Sequence, residues 1–168
     1  MDVAAEYGNY SSDMTRTVPV SGRFTSRQKK VYESVLKVKK EATQLLKPGV
    51  IWKEFHIEVG KLITSELVKL GLLDKADLQN ESTEKPAYKK YFMHGTAHHM
   101  GLDTHDYCDL KVPFEKNMVL TVEPGIYIKE EDFGIRLEDD VVINSEDNPT
   151  NLMENIPILI DEIESIMN

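Results

Sequence analysis

The sequence is poor in several things whose absence narrows what it can be. A single cysteine, Cys108, leaves no internal partner for a disulfide, so no disulfide framework is expected and a reducing compartment suits the chain. No run approaches the roughly 18 apolar residues of a membrane span. The opening Met1-Asp2-Val3-Ala4-Ala5-Glu6 has neither the basic start nor the apolar stretch of a signal peptide. Basic residues are in deficit, 20 Lys and Arg against 29 Asp and Glu, a net charge of −9 that argues against a nucleic-acid partner. There is no internal repeat, no low-complexity linker, no phosphate-binding glycine loop and no Gly-x-Ser-x-Gly nucleophile turn. The expectation is one domain of 168 residues, soluble and cytoplasmic, with no nucleic-acid or membrane partner.

Along the chain, residues 1–20 read as two short strands around a turn at Glu6-Tyr7-Gly8-Asn9, with Thr15, Thr17, Val18 and Val20 supplying β-branched bias. A helix is predicted from Ser26, because Thr25 and Gln28 have capping-box spacing and Val31, Val35, Val38, Ala42 and Leu45 recur on one face. Pro48-Gly49 stops it. A second helix runs from Trp52 with Phe55, Val59, Leu62, Ile63 and Leu67 inward, closed by Gly71. Residues 74–92 read as a polar loop. Strands are predicted over Met118–Ile128 and Gly134–Ile143, joined by a turn at 129–133, and a last helix over Ile158–Ile166. Strands and helices in separate runs indicate an α+β fold with an antiparallel sheet.

In an antiparallel hairpin, paired positions have numbers with a constant sum. Asp2 with Asp13 centres on Tyr7-Gly8, and Glu123 with Glu138 centres on Glu130-Glu131, both inside predicted turns. Two hairpins thus set acids face to face, at a repulsion on the order of 4 kcal/mol for charges about 4 Å apart. Solvent, a raised pKa or a cation must offset it. Acids turned to water are the simpler reading of one such pair. Here, however, four of the five histidines, His94, His98, His99 and His105, fall within twelve residues, flanked by Gly95 and Gly101. Imidazole with four carboxylates suits Mn²⁺, Co²⁺ or Zn²⁺ and exceeds what one Zn²⁺ takes, so two bridged metals are the economical reading. Cys108, three residues after His105, could form a thiol–imidazole pair, but a lone cysteine is more often an inert small hydrophobe.

The ordered elements Asp2 with Asp13-Met14-Thr15-Arg16-Thr17, His94-Gly95-x-x-His98-x-x-Gly101-Leu102-x-x-His105-Asp106, Val122-Glu123-Pro124-Gly125 and Gly134-Ile135-Arg136-Leu137-Glu138-Asp139-Asp140 resemble the motifs of the pita-bread metallopeptidases. The Gly-Ile-Arg-Leu-Glu-Asp form is closer to aminopeptidase P and prolidase, the Xaa-Pro aminopeptidase group, than to methionine aminopeptidase. That resemblance implies a curved antiparallel sheet with helices packed on one face. It also implies two divalent metals, Mn²⁺ first, with Co²⁺ or Zn²⁺ as alternatives. Asp2 would hold one metal, His98 with Glu123 the other, and Asp13 and Glu138 would bridge. The implied activity is hydrolysis of the N-terminal Xaa-Pro peptide bond by a hydroxide between the metals. Glu123 would shuttle the proton, His94 and His105 would contact substrate, and Arg136 would pair with a ligand carboxylate. A peptide with proline in second position is the implied partner.

The chain departs from the family pattern at Ala4, where glycine is usual, and at Cys108. Relative to the family, residues 1–168 read as one truncated catalytic domain lacking its N-terminal half-repeat, and so as a poor enzyme by itself and a homodimer or larger. Two rivals remain open: a dipeptidase of the prolidase type, and a non-catalytic binding or scaffold module.

Overall fold

The computed structural model describes residues 1–144 and 148–167. The capping box operates as the spacing predicts: the Thr25 hydroxyl accepts from the Gln28 amide and the Gln28 side chain accepts from the Thr25 amide, opening α1, Ser26–Leu45. Val31, Tyr32, Val35, Val38 and Ala42 are buried along it. Leu45, predicted inward, is only half-buried; Leu46 takes the core position because the backbone leaves helical geometry there, at ψ 83°. Thr25→Ala should cost about 1 kcal/mol, the usual worth of an N-cap. Urea unfolding checks this, and an unchanged midpoint would mean the cap is idle.

Helix α2, Trp52–Lys69, packs on α1 and buries Trp52, Phe55, Val59, Ile63 and Leu67, with Leu62 half-buried. Gly71, at φ +71°, turns the chain out of it. The stretch read as a loop contains a short helix, α3, Lys75–Gln79, opened by an Asp74/Asp77 capping box, and a 3₁₀ turn over Ala87–Lys90. No residue of α3 is buried, so it carries no apolar stripe by which periodicity could reveal it.

The strands are short: β1 Asp2–Val3, β2 Glu6–Tyr7, β3 Tyr10–Ser11, β4 Met14–Thr15, β5 Val119–Val122, β6 Gly125–Ile128, β7 Phe133–Arg136, β8 Asp139–Val142 and β9 Thr150–Asn151. All pairings between named strands are antiparallel, β1 with β4, β2 with β3, β5 with β8, β6 with β7 and β8 with β9. Each of the two predicted long strands is thus two, interrupted at Glu123-Pro124 and at Leu137-Glu138, where the amides of Glu123 and Glu138 turn outward to other segments. The turn between β6 and β7 is a 3₁₀ turn over Lys129–Glu131 ending on Asp132 in left-handed conformation. α4, Ile160–Met167, starts two residues later than predicted. α1 lies against β5, β6 and β7, so helices cover one face of the sheet. Among the described residues no helix is long and apolar enough to cross a membrane.

Candidate metal centre

Five extended segments lie side by side and fix the site by register alone. The β5–β8 and β6–β7 ladders share one register, which places Glu123 opposite Glu138 in the gap between them, as the sequence numbers required. The amides that these two residues do not spend on each other go outward: Glu123 N–H donates to Thr96 O at 2.7 Å, and Glu138 N–H to Thr15 O at 3.1 Å. The 96–100 segment continues antiparallel along β5, with Thr121 N–H bonded to His98 O and Met100 N–H to Val119 O. On the other side Thr15 pairs with Asp2. Side chains alternate faces along each strand, so Asp2, Thr15, Glu138 and Glu123 form a row across one face, with Asp13 and His98 two residues off it at either side.

This corrects one predicted pairing. Asp2 does not oppose Asp13; it opposes Thr15, because the hairpin turns on Gly8 and Asn9, both at positive φ, one residue later than predicted. A shift of the turn by one residue moves the partner by two, which preserves the face. Asp2 therefore remains a diagonal neighbour of Asp13, close enough for its charge to raise the Asp13 carboxyl.

Asp13, His98 and Glu138 offer one ligand atom each, all within 4.8 Å of one another. His98 Nδ1 lies 3.0 Å from the His99 carbonyl, which can only accept, so Nδ1 carries the proton and the Nε2 lone pair is free. That Nε2 is buried with no hydrogen-bond partner among the described residues, 3.5 Å from Asp13 Oδ2 and 3.7 Å from Glu123 Oε1. A lone pair aimed at two carboxylates is a repulsive arrangement that a cation reverses. An ion about 2.0–2.2 Å from each ligand would put ligand atoms roughly 3–4.4 Å apart, close to the spacings found. One imidazole among carboxylates is a donor set for a borderline divalent ion. The residues fit a metal.

Glu123 is not in that tight group but joins it to His94, whose Nδ1 is 3.5 Å from Glu123 Oε2. Asp2 sits at its edge, more than half exposed, bonded to Arg136 Nη2 at 2.5 Å. His105 packs beside His98, ring centres 4.3 Å apart and planes tilted by 53°. The acids shift as the row demands. Burial, then the charge of Glu138, pushes Glu123 up to about 8; burial, then Asp13, pushes Glu138 up to about 7 against the opposing hydrogen bond from Thr15. Asp13 is raised by burial and by Asp2.

Several residues of the site escaped the sequence reading. Thr15 donates its hydroxyl to Glu138 Oε2 at 2.6 Å while accepting from Arg136 Nε at 2.9 Å. Asp140 accepts from the Asp13 amide at 3.1 Å and leaves its other oxygen buried without a partner; burial lifts it to about 7. Tyr127 donates its hydroxyl to His94 Nε2 at 2.7 Å, since His94 Nδ1 must donate to the Gly95 carbonyl. Its ring fits only because Gly125 and Gly134 have no side chain: a Cβ there would lie 2.7 Å and 2.6 Å from Tyr127 atoms. Strand alternation from Glu123 through Gly125 to Tyr127 was the available signal.

Residues 1–145 match the description "Metallopeptidase family M24", and the chain belongs to that family. It is 39% identical to the Xaa-Pro aminopeptidase of Haemophilus influenzae over the whole of this chain and 41% of that protein. It is 36% identical to Xaa-Pro aminopeptidase 3 of Homo sapiens over 99% of this chain and 34% of that protein. The aminopeptidase PepP structure of Pseudomonas aeruginosa superposes with a TM-score of 0.88 at 37% identity, over 99% of this chain and 40% of that one. A zinc-substituted Escherichia coli aminopeptidase P in complex with product gives 0.85 at 37%, over 99% and 40%. The fold is the pita-bread arrangement of these structures. The chain spans about two-fifths or less of the curated relatives' length.

Proposed function

We propose that the protein is a divalent-metal-dependent aminopeptidase acting on the peptide bond before a proline in second position. The observation that carries this reading is the buried, unpartnered Nε2 of His98 facing the Asp13 and Glu123 carboxylates beside Glu138. The relatives named Xaa-Pro aminopeptidase support the substrate class. Asp13, His98, Glu123 and Glu138 would hold the metal, with Asp2 completing a second position, and Mn²⁺ is the favoured ion. When bound, paired cations would acidify water and attract the charge that develops on the substrate carbonyl oxygen.

The chain's own residues supply the rest. Thr15 and Arg136 hold Glu138 and Asp2 by their hydrogen bonds. Tyr127 and the Gly95 carbonyl lock the His94 ring from both nitrogens, presenting it at the rim beside Glu123. Glu123 has one oxygen toward His98 and the other toward His94, the position from which a proton reaches a leaving proline nitrogen. His105, against His98, is the second group placed to meet substrate.

The free Cys108 fits work in a reducing, cytoplasmic setting. Exposed Tyr7, Tyr10, Tyr107 and Val20 favour a homodimer or larger assembly, which light scattering would contradict by showing a monomer at high concentration.

The deciding assay is release of the first residue from Xaa-Pro-Xaa tripeptides with added Mn²⁺, reversed by chelator. Cleavage of Xaa-Pro dipeptides alone would point to a prolidase. Absence of any metal-dependent cleavage, together with no metal uptake, would leave a scaffold role.

A further inference from the structure

The row of acids has a counterpart on the helix-covered face of the same strands. Arg16 follows Thr15 and Asp139 follows Glu138, so alternation turns both side chains away from the metal centre. Both are almost wholly buried, and so is Lys39, which reaches them from α1. Asp139 Oδ1 takes Arg16 Nη2 at 2.6 Å; its Oδ2 takes Lys39 Nζ and, at 2.8 Å, Asn151 Nδ2. Arg16 spends its other donors on backbone: Nη1 on the carbonyls of Thr15 and Glu138, at 3.0 and 2.7 Å, and Nε on Pro157 O at 2.9 Å. The guanidinium thus ties together the two chain segments that carry Asp13 and Glu138.

Stability alone is a poor reason for this cluster, since a buried ion network is often no better than apolar side chains of the same volume. Its composition is also lopsided: two basic side chains share one carboxylate. The positive charge left over lies one residue behind Glu138, where Asp2, Asp13, Glu123 and Glu138 converge and repel one another. We propose that Lys39, acting through Asp139 and Arg16, is a positioning residue that holds Asp13 and Glu138 in place for the metal. This rests on the metallopeptidase reading above. The cluster does two things at once: it fixes the register of β4 against β8 and offsets the crowding of acids before an ion arrives, the preorganisation a metal site needs.

The test is calorimetric titration of Mn²⁺ into the metal-stripped chain, with the electron paramagnetic resonance spectrum of the loaded protein as a second readout. Lys39→Met, which keeps length and removes charge, should bind Mn²⁺ roughly 10–100-fold more weakly and alter the spectrum, the range for changes behind metal ligands. Lys39→Arg should restore most of the affinity. Glu66→Gln is the control: it disrupts a buried carboxylate between α1 and α2, held by Ser34, Lys37 and Lys69, and should lower stability with affinity unchanged. Should Lys39→Met not fold, Asn151→Ala removes one Asp139 hydrogen bond with both cations kept. Threefold or greater weakening in that variant supports the inference, and unchanged affinity overturns it. Unchanged affinity and spectrum in a folded Lys39→Met overturns this inference alone. A wild-type chain that takes up no Mn²⁺ overturns the metallopeptidase reading, and this with it.

Discussion

Glu138→Gln is expected to reduce the proposed Mn²⁺-dependent Xaa-Pro cleavage more than about 100-fold, beyond the 10–100-fold cost of changes behind a ligand. The metal-stripped protein, in contrast, should melt at a higher temperature. Both effects come from one carboxylate. Glu138 is 2% exposed, faces Glu123 across the strand gap and lies within 4.8 Å of Asp13 and His98. In the proposed metal centre, its second oxygen and full charge would be what holds the ion. Without one, the charge is a buried liability that holds the group's pKa near 7. Glutamine keeps the shape and an oxygen to accept from Thr15, and removes the repulsion. Metal content by elemental analysis and thermal melts with and without chelator check this. A variant that retains full metal and activity, or one that melts lower in chelator, contradicts it.

The juxtaposition of the acids was largely legible in the sequence, because strand periodicity and hairpin register are arithmetic. Glu123 and Glu138 could be placed opposite one another since both flanking ladders keep the register that their numbers imply. The Asp2–Asp13 estimate missed by two residues, since the tight turn takes Gly8 and Asn9 as its central pair; the acids stayed together only because an even slip preserves the face. The breaks at Glu123-Pro124 and Leu137-Glu138 were not legible. They arise where the amides of Glu123 and Glu138 leave the hairpin for Thr96 and Thr15, contacts made by distant segments. The same holds for Lys39 on Asp139, separated by 100 positions, and for Tyr127 on His94, separated by 33. A lysine on an amphipathic helix reads as a surface residue by default; nothing local marks Lys39 as buried. Helix α1, by contrast, was fixed by contacts within four residues, its capping box and its stripe, and those are what a sequence displays.

The metal-stripped protein should lose stability as pH rises from 6.5 to 8.5, opposite to what acid-paired proteins do at lower pH. Glu123 is raised to about 8 and Glu138 and Asp140 to about 7, well above their unfolded values of about 4–4.5. Between the unfolded and folded pKa the native state holds protons the unfolded chain has released, so stability is fully present at low pH. It is lost as pH climbs through the folded values. His56, His94 and His99 act the other way, because burial lowers their pKa, but the unfolded histidines are already half neutral at 6.5, which leaves at most about 0.4 kcal/mol each to be gained above it. Above that the carboxyls decide the slope. Glu123 contributes most, on the order of 2 kcal/mol over the interval, and the other two about 0.8 kcal/mol each. For a chain of this length that is a fall in melting temperature of about 5–10 °C. Saturating Mn²⁺ should flatten or invert the profile, since the ion takes the place of the protons and binds more tightly as they leave. Differential scanning calorimetry at pH 6.5, 7.5 and 8.5, with chelator and with Mn²⁺, separates the two curves. A chelated protein that gains stability across this range would show that the acid row is not held protonated. The Glu123→Gln variant, with its largest contributor removed, should show the shallowest fall of the single variants.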